Sequence, residues 1–235
     1  MQITISDIKQ VFEELLLCAS LLPEQARVLE LGCGKAQKTR AIAKDEKVTY
    51  LLALETDAIQ HAINLTYTDL PKIQFALGAA EAIPAENTSF DIVMMFKSLH
   101  HVPLDKLDQA LAEIHRVLKP GGLAYISEPI FAGEYNDILR LFHDESMVRQ
   151  AAFAAVERAV TTQLFELVEQ KFFLAPIYYR DFAQFDASVI QVTHTQHQLA
   201  PALLEKVRDK FNAHMTADGV RFLAPIRVDL LRKSA

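Results

Sequence analysis

The most informative segment of this chain reads Val28-Leu29-Glu30-Leu31-Gly32-Cys33-Gly34-Lys35-Ala36. Its apolar half is typical of a buried β-strand, and its glycine half is typical of a tight turn that opens a helix. Such a turn lets the backbone pass close to a ligand, and the free N–H groups of a helix start favour anionic groups. Alone, the same pattern also fits an ordinary tight turn. The segment therefore predicts a strand–turn–helix unit and a candidate binding site.

On both sides of this unit, short apolar runs alternate with segments of helical periodicity. This alternation is typical of an α/β protein with a mostly parallel sheet and helices on both faces. Strands are predicted at 27–31, 48–55, 73–77, 90–96, 123–127, 174–182 and 220–231, which makes a seven-stranded sheet. Helices are predicted at 5–20, 35–44, 56–65, 104–118 and 200–214.

A different rhythm follows the fifth strand. Residues 134–172 look mostly helical and contain no glycine or proline. We therefore expect one domain over residues 1–235, with a helical insertion at 130–172 that caps the acceptor side of the sheet. Aromatic residues in and beyond it are candidates either for core packing or for an acceptor pocket: Phe131, Tyr135, Phe142, Phe153, Tyr178 and Tyr179.

Composition and charge narrow the classes of function. The net charge of −6 and the absence of a basic run disfavour a nucleic-acid partner, which needs a basic face. No apolar run is long enough to span a membrane, and the N-terminus does not resemble a signal peptide. With two cysteines a disulfide framework is not expected, so a cytoplasmic location is predicted.

An acidic residue lies where the second predicted strand ends. Glu55, followed by Thr56, is placed to accept hydrogen bonds from the hydroxyl groups of a ribose. The alternative is a solvated loop carboxylate. Gln37 occupies the third glycine position of the dinucleotide fingerprint G-x-G-x-x-G, which argues against a plain NAD-binding protein.

Four further segments complete the pattern, and the whole set resembles one family. VLELGCGKA, ALETD, GAAEAIPAENTSFDIV, SLHHV and EIHRVLKPGGLAYISEP follow in this order over residues 27–129. In this register they resemble class I S-adenosylmethionine-dependent methyltransferases with a Rossmann-like fold. The similarity is to the type 11 branch, which includes the ubiquinone/menaquinone-biosynthesis methyltransferases. The resemblance implies S-adenosyl-L-methionine as the cofactor.

The resemblance also implies roles for individual residues. Backbone near the methionine part of the cofactor would come from the glycine turn, and the adenine and sulfonium would lie against the loops after the third and fourth strands. The implied cofactor-binding residues are Glu30, Gly32, Cys33, Gly34, Glu55, Thr56, Ala80, Glu81, Phe96 and Lys97. Cys33 is more simply a small turn residue than a nucleophile.

Two positions depart from the family pattern. The family commonly has glycine where this chain has Ala36, and aspartate where it has Ala79. A methyl group at residue 36 is expected to be tolerated. The missing carboxylate at residue 79 is expected to weaken cofactor binding by about 1–3 kcal/mol unless Glu81 or water replaces it.

His100 and His101, after the fourth strand, are the candidate catalytic residues. An imidazole titrates near neutrality, which suits a general base, but a structural histidine that caps the loop or packs on a helix is the preferred interpretation. No metal site is predicted, because the pair His194 and His197 has no evident further ligand.

The function that follows is S-adenosylmethionine-dependent methyl transfer to a small-molecule acceptor, which could be apolar or aromatic. An alternative is a cofactor-binding protein of the same fold that has lost catalysis and acts through a partner. Further alternatives are a nucleotide-dependent oxidoreductase, which the failed glycine fingerprint disfavours, and a methyltransferase that acts on RNA or protein, of which RNA is disfavoured by the net charge of −6. The acceptor and the oligomeric state are not predicted.

Overall fold

A seven-stranded sheet lies at the centre of the computed structural model, which describes residues 1–192, 195 and 197–234. His194 of the histidine pair lies outside the described residues. The strands are β1 (Ala26–Leu31), β2 (Val48–Glu55), β3 (Ile73–Leu77), β4 (Phe90–Phe96), β5 (Leu118–Pro129), β6 (Glu166–Tyr179) and β7 (Val220–Arg232).

Helices connect these strands. They are α1 (Glu14–Ser20), α2 (Gln37–Ala43), α3 (Ala58–Asn64), α4 (Leu107–Val117), α5 (Glu134–Leu139), α6 (Ser146–Thr161), α7 (Phe182–Phe185) and α8 (Pro201–Asn212). Short 3-10 turns at Leu99–His101 and Leu104–Lys106 precede α4, and a π-helical turn at Asp186–Ile190 follows α7.

The sheet order is β3-β2-β1-β4-β5-β7-β6, with β7 antiparallel to both of its neighbours. The first five strands are parallel, so their carboxyl ends share one edge. Leu31 at the end of β1 pairs with Leu54 of β2 and with Met95 of β4. The loops after β1, β2 and β4 therefore meet at one edge, where ligands bind in open α/β sheets.

Two apolar layers hold the helices against the sheet. Leu29 and Leu31 pack in a cluster with α4 and α6, whereas Val28 packs on the opposite face with α1 and α2. Successive strand residues point to opposite faces, and both faces are covered here. This double burial is the reason why the parallel strands consist of nearly unbroken apolar runs.

The predicted helical stretch after β5 is shorter than expected. Helices α5 and α6 occupy it up to Thr161, but residues 166–172 belong to β6. These residues pair along their whole length with β7, and this long-range pairing cannot be read from local periodicity. The predicted helix at 5–20 is also wrong in extent, because α1 begins only at Glu14 and Val11 instead bridges to Leu174 of β6.

A small aromatic core lies apart from the main sheet core. It joins α5 to the α7–α8 excursion between β6 and β7, and its centre is Phe185, Phe211 and Phe222. Tyr135 and Tyr179 extend it, with their hydroxyl oxygens 2.9 Å apart. Part of the predicted aromatic set therefore serves packing.

Among the described residues, no helix combines the length and the apolar character needed to cross a bilayer.

Candidate cofactor and acceptor site

The glycine turn after β1 has backbone that other residues rarely adopt. Gly32 and Gly34 have φ angles of +71° and +51°, in the left-handed region that favours glycine. A Cβ at Gly32 would lie 2.7 Å from the Cβ of Ser98, whereas a Cβ at Gly34 would meet nothing within 4 Å. Gly32 therefore lets the turn approach the β4 loop, and Gly34 borders open space at the sheet edge.

Glu55 ties the end of β2 to this turn. Its buried carboxylate accepts the backbone N–H of Gly34 at 2.7 Å through one oxygen. The other oxygen accepts the N–H groups of Thr56 and Asp57 at 2.8 and 3.0 Å. Three backbone donors thus fix the position of the carboxylate at the edge. The remaining acceptor capacity of the two oxygens is available to a ligand.

Asn64, in α3, holds the same turn from the other side. Its side-chain amide is fully buried and donates to the carbonyl oxygen of Gly34 at 2.8 Å and towards the sulfur of Cys33. Burial is the main reason why the pKa of the Cys33 thiol is raised above its usual range. Cys33 is therefore a protonated turn residue, as its simpler interpretation predicts.

Glu30 carries an unsatisfied buried atom. Its side chain is 2% exposed, and its Oε2 has no hydrogen-bond partner among the described residues. Burial raises the pKa of this carboxyl group to about 7. A buried acceptor without a partner is costly, so it marks a place where a ligand can complete the site.

The departure at residue 36 has a visible backbone consequence. Ala36 precedes α2 with a φ of +55°, in the left-handed region, and is fully buried. This explains why glycine suits the position. After β3, Ala80 is buried and the carbonyl oxygen of Glu81 accepts a hydrogen bond from Gln109 at 2.9 Å, while Ala79 forms an isolated bridge with Ala82.

A buried carboxylate from α1 reaches Lys97, one of the predicted cofactor-binding residues. Glu14 pairs with the ammonium groups of Lys38 and of Lys97, the latter at 3.0 Å, and also accepts a hydrogen bond from Ser127. Although burial opposes ionisation, the two lysines lower the pKa of Glu14 to about 2. The ammonium group of Lys38 also lies 4.5 Å from the centre of the Phe96 ring. Glu14 therefore joins α1 to Lys38 of α2 and to Lys97 after β4 at this edge of the sheet.

A cavity of about 200 Å³ lies beside Lys97, between the β4 and β5 ends and helices α5 and α6. Its polar wall includes His100, His101, Asn136 and Arg149. Its apolar wall is formed by Ile130, Leu139, Ile177, Pro225 and Ile226. Of the predicted aromatic set, Tyr135 lines this cavity.

The two predicted catalytic histidines have different surroundings. His101 is exposed at the cavity, whereas His100 is buried between the carboxylates of Glu128 and Glu145. Burial opposes charge on the ring, but these carboxylates outweigh it and raise the pKa of His100 to about 9. A charged imidazole is a poor proton acceptor, so these contacts favour the structural alternative for His100.

Several side chains at this edge were not anticipated from the sequence. Glu128 ends a strand segment that matches the family pattern, which is a usable signal. The others lie in helices or, for Glu145, directly before one, where the local pattern predicts only a polar face and nothing marks them: Glu14, Lys38, Asn64, Glu145 and Arg149.

Part of this chain is similar in sequence to known proteins. Residues 28–122 match the family described as Methyltransferase domain. The chain is 35% identical over 109 residues to the demethylmenaquinone methyltransferase of Chlorobaculum tepidum, covering 45% of this chain and 42% of that protein. It is also 35% identical over 96 residues to the arginine-hydroxylase NDUFAF5 of Mus musculus, covering 40% of this chain and 26% of that protein. The matches thus span less than half of either relative.

The likeness in fold extends further than the likeness in sequence. The YcgJ protein of Bacillus subtilis superposes with a TM-score of 0.66 at 16% identity, covering 94% of this chain and 98% of that one. At this identity the superposition shows the fold alone. Residues 28–122 thus match the methyltransferase-domain family, and the chain as a whole has the Rossmann-like fold of this neighbour.

Proposed function

We propose that this protein transfers a methyl group from S-adenosylmethionine to a small-molecule acceptor. One observation carries the proposal. Lys97, the last of the predicted cofactor-binding residues, directly follows Phe96 at the end of β4. The side chain of Lys97 also lines the cavity beneath α5 and α6. A cofactor site and an acceptor site therefore adjoin at one sheet edge, as methyl transfer requires.

The residues at this edge fit the proposed cofactor. The unpartnered Oε2 of Glu30 suits its ammonium group, and the open side of Gly34 leaves room for its methionine portion. The fixed carboxylate of Glu55 suits the ribose hydroxyl groups, with Thr56 beside it. Gly32, Cys33, Ala80, Glu81, Phe96 and Lys97 complete the proposed set of binding residues.

When bound, the cofactor supplies a sulfonium-activated methyl group. The protein has to hold the acceptor in line with that group and to exclude water. The apolar wall formed by residues such as Ile130 and Ile226 removes water, and the polar wall orients the acceptor. Positioning of this kind lowers a barrier by several kcal/mol.

The size and lining of the cavity support a small acceptor with an apolar body and at least one polar group. The relative from Chlorobaculum tepidum is a demethylmenaquinone methyltransferase, which implies a quinone-type acceptor for that protein. A flat, partly apolar acceptor also suits this cavity. Both predicted catalytic histidines line the cavity, and exposed His101 suits a group that acts on an acceptor proton better than buried, charged His100 does.

Calorimetric titration of the dialysed protein tests the cofactor first. We expect micromolar binding of S-adenosylmethionine and S-adenosylhomocysteine and no binding of NADH. An acceptor screen then follows, with S-adenosylhomocysteine release as the readout. Absence of binding by both S-adenosylmethionine and S-adenosylhomocysteine would refute the proposal. Binding without turnover across hydroxylated aromatic, quinol and amine acceptors would favour the alternative of an inactive cofactor-binding protein.

A further inference from the structure

Three possible metal ligands converge at the mouth of the acceptor cavity. One ligand atom from each of His100, His101 and Glu145 lies within 4.8 Å of the other two. His100 and Glu145 are buried, whereas His101 is exposed at the cavity. The residues come from two separate elements, the 3-10 turn after β4 and the residue before α6, so local sequence does not explain their meeting.

The orientation of His100 is that of a metal ligand. Its Nδ1 contacts the carboxylate of Glu128, and the other oxygen of Glu128 accepts the backbone N–H of Leu99 at 3.0 Å. In the neutral ring, a carboxylate that accepts the proton of Nδ1 leaves Nε2 as the nitrogen with a free electron pair. This arrangement is the usual support for an imidazole that binds a metal.

The separation of the two buried atoms also fits. His100 Nε2 lies 3.4 Å from Glu145 Oε1, which is long for a charged hydrogen bond. Metal bonds of roughly 2.0–2.1 Å at a tetrahedral angle place two ligands about 3.3–3.4 Å apart. The second oxygen of Glu145 is held by Arg149, so the carboxylate is already oriented.

We propose that a divalent transition-metal ion binds His100 Nε2, an imidazole nitrogen of His101 and Glu145, with its open positions towards the acceptor cavity. Two imidazoles and one carboxylate suit Zn²⁺ or Fe²⁺ rather than Mg²⁺, which prefers oxygen ligands. Binding requires a neutral His100 and releases its proton to solvent. The carboxylates of Glu128 and Glu145 balance the charge of the ion.

An ion in this place changes how the acceptor side works. An acceptor hydroxyl oxygen on an open position would lose its proton more readily, because the cation stabilises the oxyanion. His100 and His101 then act as ligands rather than as bases. This role rests on the proposed methyl transfer, but the binding of the metal does not.

Titration of untagged, chelator-treated protein with Co²⁺ alone tests the site, because visible absorption reports cobalt bound to nitrogen and oxygen ligands. We expect one equivalent of Co²⁺, displaced by one equivalent of Zn²⁺, and a higher melting temperature with either ion. Equilibrium dialysis gives the stoichiometry. Failure to bind either ion would overturn the proposal.

Single substitutions locate the ion. His101→Gln changes an exposed side chain, so it should fold normally and lower cobalt affinity at least about tenfold. Glu128→Gln, which alters only the support of His100, should lower it about 10–100-fold. The matched control is His115→Gln, because the ring of His115, on α4, packs edge-on against Phe165 and is not part of the proposed set.

The control should retain cobalt affinity within about threefold of the parent protein. Equal affinity for His101→Gln and the parent protein would overturn the assignment. All of these measurements are made without S-adenosylmethionine, and cofactor binding is measured separately by calorimetry. Loss of one function therefore leaves the other testable.

Discussion

The carboxylate of Glu55 accepts the backbone N–H of Gly34 at 2.7 Å, which joins the ends of two adjacent parallel strands. One side chain thereby positions the glycine turn and also presents an acceptor to a ligand. In Glu55→Gln, an amide NH₂ would replace one acceptor opposite a backbone donor. We expect a loss of about 1–3 kcal/mol in the free energy of unfolding.

Affinity of Glu55→Gln for S-adenosylmethionine should fall by about ten- to a hundredfold, because a charged acceptor is lost. Calorimetry and urea unfolding measure the two effects. Glu46→Gln removes an exposed carboxylate and is the control, with neither quantity changed. Unaltered affinity in Glu55→Gln would contradict the proposed role at the ribose.

The two glycines of the turn should respond differently to alanine. Gly32→Ala adds left-handed strain of about 1–2 kcal/mol and a clash with Ser98 of about 1–3 kcal/mol. Gly34→Ala has the strain but no clash within the protein, so it should lower stability less and cofactor affinity more. Paired urea unfolding and calorimetry check this. Equal destabilisation by the two variants would show that Gly32 does not approach the β4 loop so closely.

Glu30→Gln should weaken the binding of S-adenosylmethionine and stabilise the ligand-free protein at high pH. The folded carboxyl group protonates at about 7 and the unfolded one near 4.5, so its contribution is favourable below pH 4.5 and is lost as the pH rises through 7. Above that pH the ionised buried group weakens folding by about 3 kcal/mol. At pH 8 the variant without ligand should therefore be more stable than the parent protein, by up to this amount.

The same variant should bind S-adenosylmethionine at least about tenfold more weakly, because the partner of the ammonium group is lost. Unfolding at pH 4 is the internal control, since both forms are then neutral and should differ little. A variant that is less stable at pH 8 would argue that Glu30 is ionised and satisfied in the folded protein.

Glu14 should confer stability that acid removes. The folded carboxyl group titrates at about 2 and the unfolded one near 4.5, so its full contribution is present above pH 4.5 and is lost as the pH falls towards 2. The loss should be about 3 kcal/mol. Glu14→Gln should lose a similar amount at neutral pH and have a flatter acid profile. If stability fell with acid equally in Glu14→Gln and in the parent protein, the contacts of Glu14 with the two lysines would not be the cause of that loss.

Ala79→Asp should restore a contact that the family pattern contains. An aspartate there can accept from the adenine amino group, so affinity for S-adenosylmethionine should rise by about five- to a hundredfold. Ala82→Asp, at the exposed bridge partner of Ala79, adds the same charge without that contact and should leave affinity unchanged. An equal rise in both variants would indicate a general charge effect.

The local sequence pattern accounts for the positions of the candidate cofactor-binding residues. The bounds of β2, β3 and β4 coincide with apolar runs in the chain, and the glycine turn follows its strand directly. Parallel strands with aligned ends then place these loops together, so Gly34 and Glu55 could be paired from the sequence.

Pairing between segments that are far apart in the chain accounts for the places where the structure differs from the sequence-based predictions. Residues 166–172 have helical periodicity but form a strand, because β7 offers a complete antiparallel partner. Lys119-Pro120-Gly121-Gly122 has the residue types of a helix stop and turn, yet it lies within the irregular start of β5.

The residues themselves were therefore sufficient for the order of the strands, the Rossmann-like class and the candidate cofactor residues at the sheet edge, since each depends on short-range periodicity or on a turn that only glycine adopts readily. The charged groups around that edge depended on the folded chain. Glu14 meets Lys97 across 83 residues, and Glu128 meets His100 across 28. Burial and proximity set the charge of such groups, and both arise only when distant segments pack together.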